Sequence, residues 1–174
     1  MESIEYFPLV NDDGEVTGRA TRTECHSGTF LLHPVVHLHV FNSAGELYLQ
    51  KRAMNKDIQP GKWDTSVGGH VDFGEEVMDA LRREVREELG ITDFEPLFVT
   101  RYKFVSDREA ELVHSYYLIY NGEIRPDPEE ISEGKFWKLS DIEAQLGKGV
   151  FTPNFEQEYI NDLHKFINMI FTDF

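Results

Sequence analysis

Between Gly69 and Ile91 one segment carries an apolar stripe and a carboxylate stripe side by side, with glycine near both ends. Val77, Leu81, Val85 and Leu89 recur every four residues, and Gly90 suits the position just past a helix end. The spacing therefore predicts a helix from about Glu75 to Leu89. Successive helical residues turn by about 100°, which places Glu84, Glu87 and Glu88 on one face beside that stripe. Like charges at this spacing weaken a bare helix by about a few tenths of a kcal/mol per pair. A divalent cation removes the repulsion. Carboxylate oxygens are hard ligands that suit Mg²⁺ or Mn²⁺, and such an ion also coordinates phosphate oxygens and lowers the pKa of bound water. By spacing alone, a solvated acidic helix face reads the same way.

Acidity is general in this chain. Thirty-two Asp and Glu oppose 17 Lys and Arg over 174 residues, a formal net charge of −15. Such a surface repels phosphate backbones, so nucleic-acid polymers and anionic membranes are poor partners. Small anions bound through a metal remain compatible with it. The single Cys25 excludes an intramolecular disulfide and a thiolate zinc cluster, and it fits a reducing cytosol. The opening MESIEYFPLV has no basic cluster, and no apolar run approaches the roughly 18 residues of a membrane span. The expectation is a cytoplasmic chain forming a single domain over residues 1–174, without repeats.

Ile4 to Val10 and Val16 to Thr21 flank Asn11-Asp12-Asp13-Gly14, a hairpin signal over about residues 4–21. Val35 to Phe41 and Glu46 to Gln50 flank Asn42-Ser43-Ala44-Gly45, a second of the same kind. Lys51 to Trp63, with Pro60-Gly61, reads as a loop. Thr65 to Val71 reads as a strand whose Gly68-Gly69 marks a close backbone approach. Leu97 to Val105 and Leu112 to Tyr120 form a further strand pair. Lys135 to Leu139 is a short strand, Ser140 caps a small helix through Leu146, and Thr152-Pro153 opens a last helix. That helix turns Phe155, Tyr159, Leu163, Phe166, Ile167 and Ile170 toward the core. Strands mixed with three helices in this order predict an α/β chain with a mixed β-sheet covered on both faces, an α/β/α sandwich.

Gly69, Glu75, Arg83-Glu84, Val85, Glu87-Glu88, Gly90 and Ile91 match the Nudix box position for position, over residues 69–91. The chain thus resembles a Nudix hydrolase. The resemblance implies a Nudix-type sandwich in which a loop–helix–loop catalytic motif holds divalent metal, Mg²⁺ or Mn²⁺, at a diphosphate bond. It implies Glu84, Glu87 and Glu88 as metal ligands, one of them also helping to deprotonate water. Arg83 would be a further catalytic-motif residue, paired with Glu75 to orient the helix, and Gly69 would let the loop bend beneath the substrate. Hydrolysis of a diphosphate linkage needs charge neutralised on the bridging and leaving oxygens, and a positioned water.

Over about residues 5–155 the chain is similar to the branch of that family containing isopentenyl-diphosphate isomerase. Gln50 to Lys56 and Pro60-Gly61-Lys62-Trp63 resemble that enzyme's diphosphate-binding segment, and they concentrate Lys51, Arg52, Lys56 and Lys62 in an otherwise acidic chain. The read is that Arg52 and Lys56 contact phosphate, Arg as a bidentate fork and Lys as a point charge. The isomerase's metal site of three histidines and two glutamates is matched by His26, His33, His70, Glu109 and Glu111, a donor set that admits Mn²⁺ or Zn²⁺. His37 and His39 match nothing in that pattern and are assigned to structure. Trp137 is assigned to the core, Trp63 either to the core or to stacking on a ligand, and Glu129 and Glu130 to solvated loop charge.

The departure from the isomerase falls at Gly68, where that pattern calls for a catalytic cysteine opposite a glutamate matching Glu111. Allylic isomerisation needs an acid and a base on the two faces of the double bond. Gly68 supplies neither, and the box is complete here where the isomerase has lost part of it. The expected activity is hydrolysis of a small-molecule diphosphate. Isomerisation of an isoprenoid diphosphate and a non-catalytic diphosphate-binding module stand as alternatives. Sheet edges of the amino-terminal hairpin offer a surface for a homodimer.

Overall fold

Asn11 and Asn42 each open an Asn-x-x-Gly-Glu turn, and the side chains build both turns alike. In the computed structural model, which describes residues 3–56 and 58–171, Asn11 Oδ1 accepts from the backbone amides of Asp13 and Glu15. Asn42 Oδ1 accepts from those of Ala44 and Glu46. Gly14 and Gly45 complete the turns at φ of 82° and 78°, a region that favours glycine. The first turn joins β1 (Tyr6–Val10) to β2 (Val16–Thr21) as a separate antiparallel pair, and the short helix α1 (Arg22–Cys25) follows. The second joins β3 (His33–Phe41) to β4 (Leu47–Arg52).

Both expected hairpins form, but the second parts at once: β3 and β4 pair only at Phe41 and Leu47. Beyond that point β3 pairs antiparallel with β6 (Val67–His70) and parallel with β8 (Ala110–Ile119). β4 pairs with β5 (Trp63–Asp64) and β9 (Ile131–Trp137), and β7 (Leu97–Val105) lies antiparallel to β8. Every residue of β3 is buried, as a central strand with both faces covered requires.

Alternate residues of the sheet feed two cores. On one face α2 (Val77–Leu89) sets Ala80, Leu81, Val85 and Leu89 against Val36, Leu38 and Val40. On the other, α3 (Leu139–Gln145), α4 (Pro153–Glu158) and α5 (His164–Phe171) bring Ile142, Phe155 and Ile167 against Phe41, Leu47 and Leu49. Apart from Ala80, each such side chain contributes about 1.5–3 kcal/mol when fully buried. The fold is the expected α/β/α sandwich around a mixed sheet. Among the described residues no helix is long and apolar enough to cross a membrane.

Several local expectations need correction. α2 starts at Val77, not Glu75, because Glu75 is drawn into a turn with Asp72 and an ion pair with Arg83. Ser140 caps nothing: α3 starts at Leu139 after Lys138, which places Ser140 inside the first turn. β9 begins at Ile131, ahead of the strand expected from Lys135, because pairing with β4 extends it. The last helix is interrupted by a π-turn over Tyr159–Leu163. Phe155, Tyr159, Leu163 and Ile167 recur every four residues, slower than the α-helical period, and the wider turn keeps them on one buried face.

Candidate active site

α2 runs past β6 so that its carboxylates reach the two strand glycines. A Cβ at Gly69 would overlap Glu84 Cδ and Cγ, so only glycine admits this approach. Gly69 lies within β6, paired with Val36. Its role is therefore to make room for Glu84, in place of the expected bend in a loop. One residue earlier, the Gly68 amide donates to Glu88 Oε2 at 3.2 Å. Glu87 sits at the rim with its side chain 54% exposed. All three glutamates line one open cleft of about 1700 Å³.

Arg83 fixes this arrangement. Its Nε and Nη2 donate to the two oxygens of Glu75 at 2.9 and 3.0 Å, and Nη1 donates to Glu84 Oε1 at 2.8 Å. Nη2 also reaches the His70 carbonyl at 3.1 Å, which ties helix to strand. Burial pushes the Glu84 carboxyl up, with Arg83 pulling the other way. Burial pushes Glu88 well above the carboxylate range, helped by Glu84 and opposed by Gln50 and the Gly68 amide. Crowded, desolvated carboxylates of this kind are stabilised in their charged form by a divalent cation.

A second donor cluster forms around His70, the last residue of β6. His26, His33, His70 and Glu109 bring one ligand atom each to within 4.8 Å of one another. His26 Nε2 lies 3.1 Å from His70 Nε2 and 3.0 Å from Glu109 Oε2. His33 Nδ1 donates to the Leu31 carbonyl at 2.8 Å, so its Nε2 presents a lone pair, and that buried atom has no hydrogen-bond partner. Burial lowers all three imidazoles, holding them in the neutral form that binds metal. Phe7 of β1 stacks on His70 at 4.4 Å, so the amino-terminal hairpin closes the cluster. Glu111 falls outside this set. Half-buried and beside Glu109, its carboxyl is pushed up to about 8.

The basic loop is partly engaged within the protein. Arg52 Nε donates to the Ile58 carbonyl at 2.9 Å and its Nη1 lies 3.4 Å from Asp64. Lys56 Nζ pairs with Glu130 at 2.7 Å, so that loop carboxylate, still exposed as expected, gains a partner. Both cations still border the cleft. Trp63 is buried beside Trp137 and Phe151, which decides for the core over ligand stacking. His37 and His39, assigned to structure, meet a carboxylate that sequence reasoning missed: Glu158 lies 2.7 Å from both.

A glutamate helix laid on a glycine pair, beside a cluster of neutral imidazoles and a carboxylate, has the donor chemistry for divalent cations in an open cleft. The chain matches the NUDIX domain over residues 31–155, and it belongs to the Nudix family. An uncharacterized Nudix hydrolase of Listeria monocytogenes is 32% identical over 169 residues, 95% of this chain and 96% of that one. An isopentenyl-diphosphate Delta-isomerase of Mycolicibacterium vanbaalenii is 33% identical over 154 residues, 84% of this chain and 85% of that one. In three dimensions the chain resembles a crystal structure from Deinococcus radiodurans with a TM-score of 0.70 at 26% identity, covering 96% of this chain and 99% of the other. A MutT protein from Methanosarcina mazei gives 0.62 at 25% identity, covering 72% and 88%. The chain is thus a Nudix enzyme, from a family whose hydrolases generally need a divalent metal.

Proposed function

We propose that this protein hydrolyses a diphosphate linkage in a small molecule, using Mg²⁺ or Mn²⁺. The observation that carries the reading is the pairing of a complete glutamate set with bare glycine at position 68. Glu84, Glu87 and Glu88 are the residues that would hold the ion. When bound there, such an ion supplies charge neutralisation on phosphoryl oxygens and a water of lowered pKa. Arg83, braced by Glu75, keeps Glu84 oriented toward the cleft. Arg52 and Lys56 would exchange their partners Asp64 and Glu130 for substrate phosphate oxygens, one charge-assisted contact for another. The imidazole cluster with Glu109 is a second metal site of softer donor chemistry, suited to Mn²⁺ or Zn²⁺.

The isomerase-like relatives and the matching histidine cluster favour a second reading, isomerisation of an isoprenoid diphosphate. Gly68 weighs against it, since it offers no acid or base beside Glu111. A screen of diphosphate-linked metabolites with Mg²⁺ and with Mn²⁺, reading released phosphate or monophosphate, tests hydrolysis. NMR of isopentenyl diphosphate incubated with the protein tests isomerisation. Tight binding of a screened compound with neither product leaves a binding module in place of both.

A further inference from the structure

Gly68 and Gly69 are consecutive in β6, so they face opposite sides of the sheet. Gly69 faces Glu84; a Cβ at Gly68 would stand 3.6 Å from His37 Cδ2 and 3.9 Å from His37 Nε2. The Cδ2–Nε2 edge of His37 therefore borders the cleft on the side away from the glutamate helix. Its other nitrogen is tied down, with Nδ1 donating to Glu158 Oε2 at 2.7 Å.

Glu158 is fully buried on α4 and heavily engaged. His39 Nε2 lies 2.7 Å from its Oε1, and the Tyr102 hydroxyl lies 2.8 Å from its Oε2. Placing a carboxylate at the centre of a core costs several kcal/mol unless it is paired, on the order of the penalty for any buried ion. A histidine that only filled space would not require it. The bond to Nδ1 fixes the tautomer, leaving Nε2 as a donor toward the cleft. Burial works against charge on His37, but Glu158, with Asp64 and Glu111 facing it from β5 and β8, holds it above the usual imidazole range. His37 stands on β3, so it adds a donor to those that Arg52 and Lys56 carry in the basic loop bordering the same cleft.

We propose that His37, positioned by Glu158, binds the substrate directly, donating from Nε2 to a non-bridging oxygen of its diphosphate group across β6 from Glu84 and Glu88. The ligand class rests on the hydrolase reading; the geometry of the donor does not.

Two variants separate the halves of the imidazole. An Asn amide reaches the position of Nδ1, so His37→Asn keeps the donor to Glu158 and deletes the one to the cleft. A Gln amide reaches the position of Nε2, so His37→Gln does the reverse. Calorimetric titration with inorganic pyrophosphate in Mg²⁺, together with thermal melting, reads the outcome. His37→Asn is expected to melt near the wild type and lose about tenfold or more in affinity, the scale of one hydrogen bond to a charged group. His37→Gln is expected to keep most of the affinity and melt lower. The opposite order of affinities, or a wild-type protein that does not bind pyrophosphate, overturns the proposal. Should His37→Asn not fold, Gly68→Ala sets a methyl in ordinary contact with the ring edge, and unchanged pyrophosphate affinity in that variant overturns it equally. Failure of the hydrolase reading would look different: the predicted order of pyrophosphate affinities with no diphosphate compound cleaved.

Discussion

Glu84 rests directly on Gly69, with no room between them for a methyl group. Gly69→Ala must therefore displace the Glu84 carboxylate or push β6 from α2. Overpacking of this kind costs about 1–3 kcal/mol. The expected outcome is a modestly lowered melting temperature and a much larger fall in diphosphate hydrolysis, with divalent-metal affinity at the glutamates reduced. Wild-type turnover in Gly69→Ala would mean that Glu84 takes no part in the reaction.

Glu87 and Glu88 are neighbours in sequence but differ in setting, and their variants should differ too. Glu88 is half-buried against the Gly68 amide, where burial already disfavours its charge. Glu88→Gln keeps the shape and removes that charge, so folding is retained while turnover falls roughly a hundredfold or more, the scale of losing a preorganised charge at a reacting phosphate. Glu87 is half exposed at the rim, and Glu87→Gln should cost less. Steady-state kinetics beside melting curves check the pair, and equal turnover in wild type and Glu88→Gln would defeat the metal assignment.

How far the site was legible follows from where its parts lie in the chain. Glu84, Glu87 and Glu88 sit within one helix, where a single period places both the carboxylates and their apolar anchor. Gly69 was legible as a close approach, but the partner, Glu84, arrives from another element, so the expected reason was wrong. The histidine cluster draws on four separate segments and was read only through resemblance. Glu158 could not be found at all: 121 residues separate it from His37, and no local pattern marks a carboxylate that will end inside a core. The parting of β3 from β4 was hidden for a related reason, since turn chemistry fixes how two strands begin to pair and the wider sheet decides how long they continue.

The two donor clusters meet β6 at different residues, the glutamates at Gly68 and Gly69 and the imidazoles at His70, and offer different atoms, so they should be separable by metal titration. His33→Asn keeps the donor to the Leu31 carbonyl, removes a buried, unpartnered Nε2 from the imidazole cluster and leaves the glutamates intact. It is expected to abolish one Mn²⁺ or Zn²⁺ binding event and preserve the other. Glu88→Gln should do the reverse. Calorimetry on wild type and both variants decides, and a single binding event lost in both would make the clusters one site.

His114 on β8 stands opposite Arg101 of β7, and burial together with that guanidinium lowers its imidazole to about 4. An unfolded chain titrates histidine near about 6.5. Between these values the unfolded chain takes up a proton that the folded one refuses, so this residue destabilises the fold progressively as pH falls from about 6.5 toward 4, and contributes nothing above. NMR titration of the folded protein should find the His114 ring neutral at pH 5, and denaturant unfolding should lose stability less steeply over that range in His114→Gln than in wild type. A His114 midpoint near that of free histidine would mean that the ring is hydrated where it faces Arg101, and that the acid sensitivity of the protein arises elsewhere.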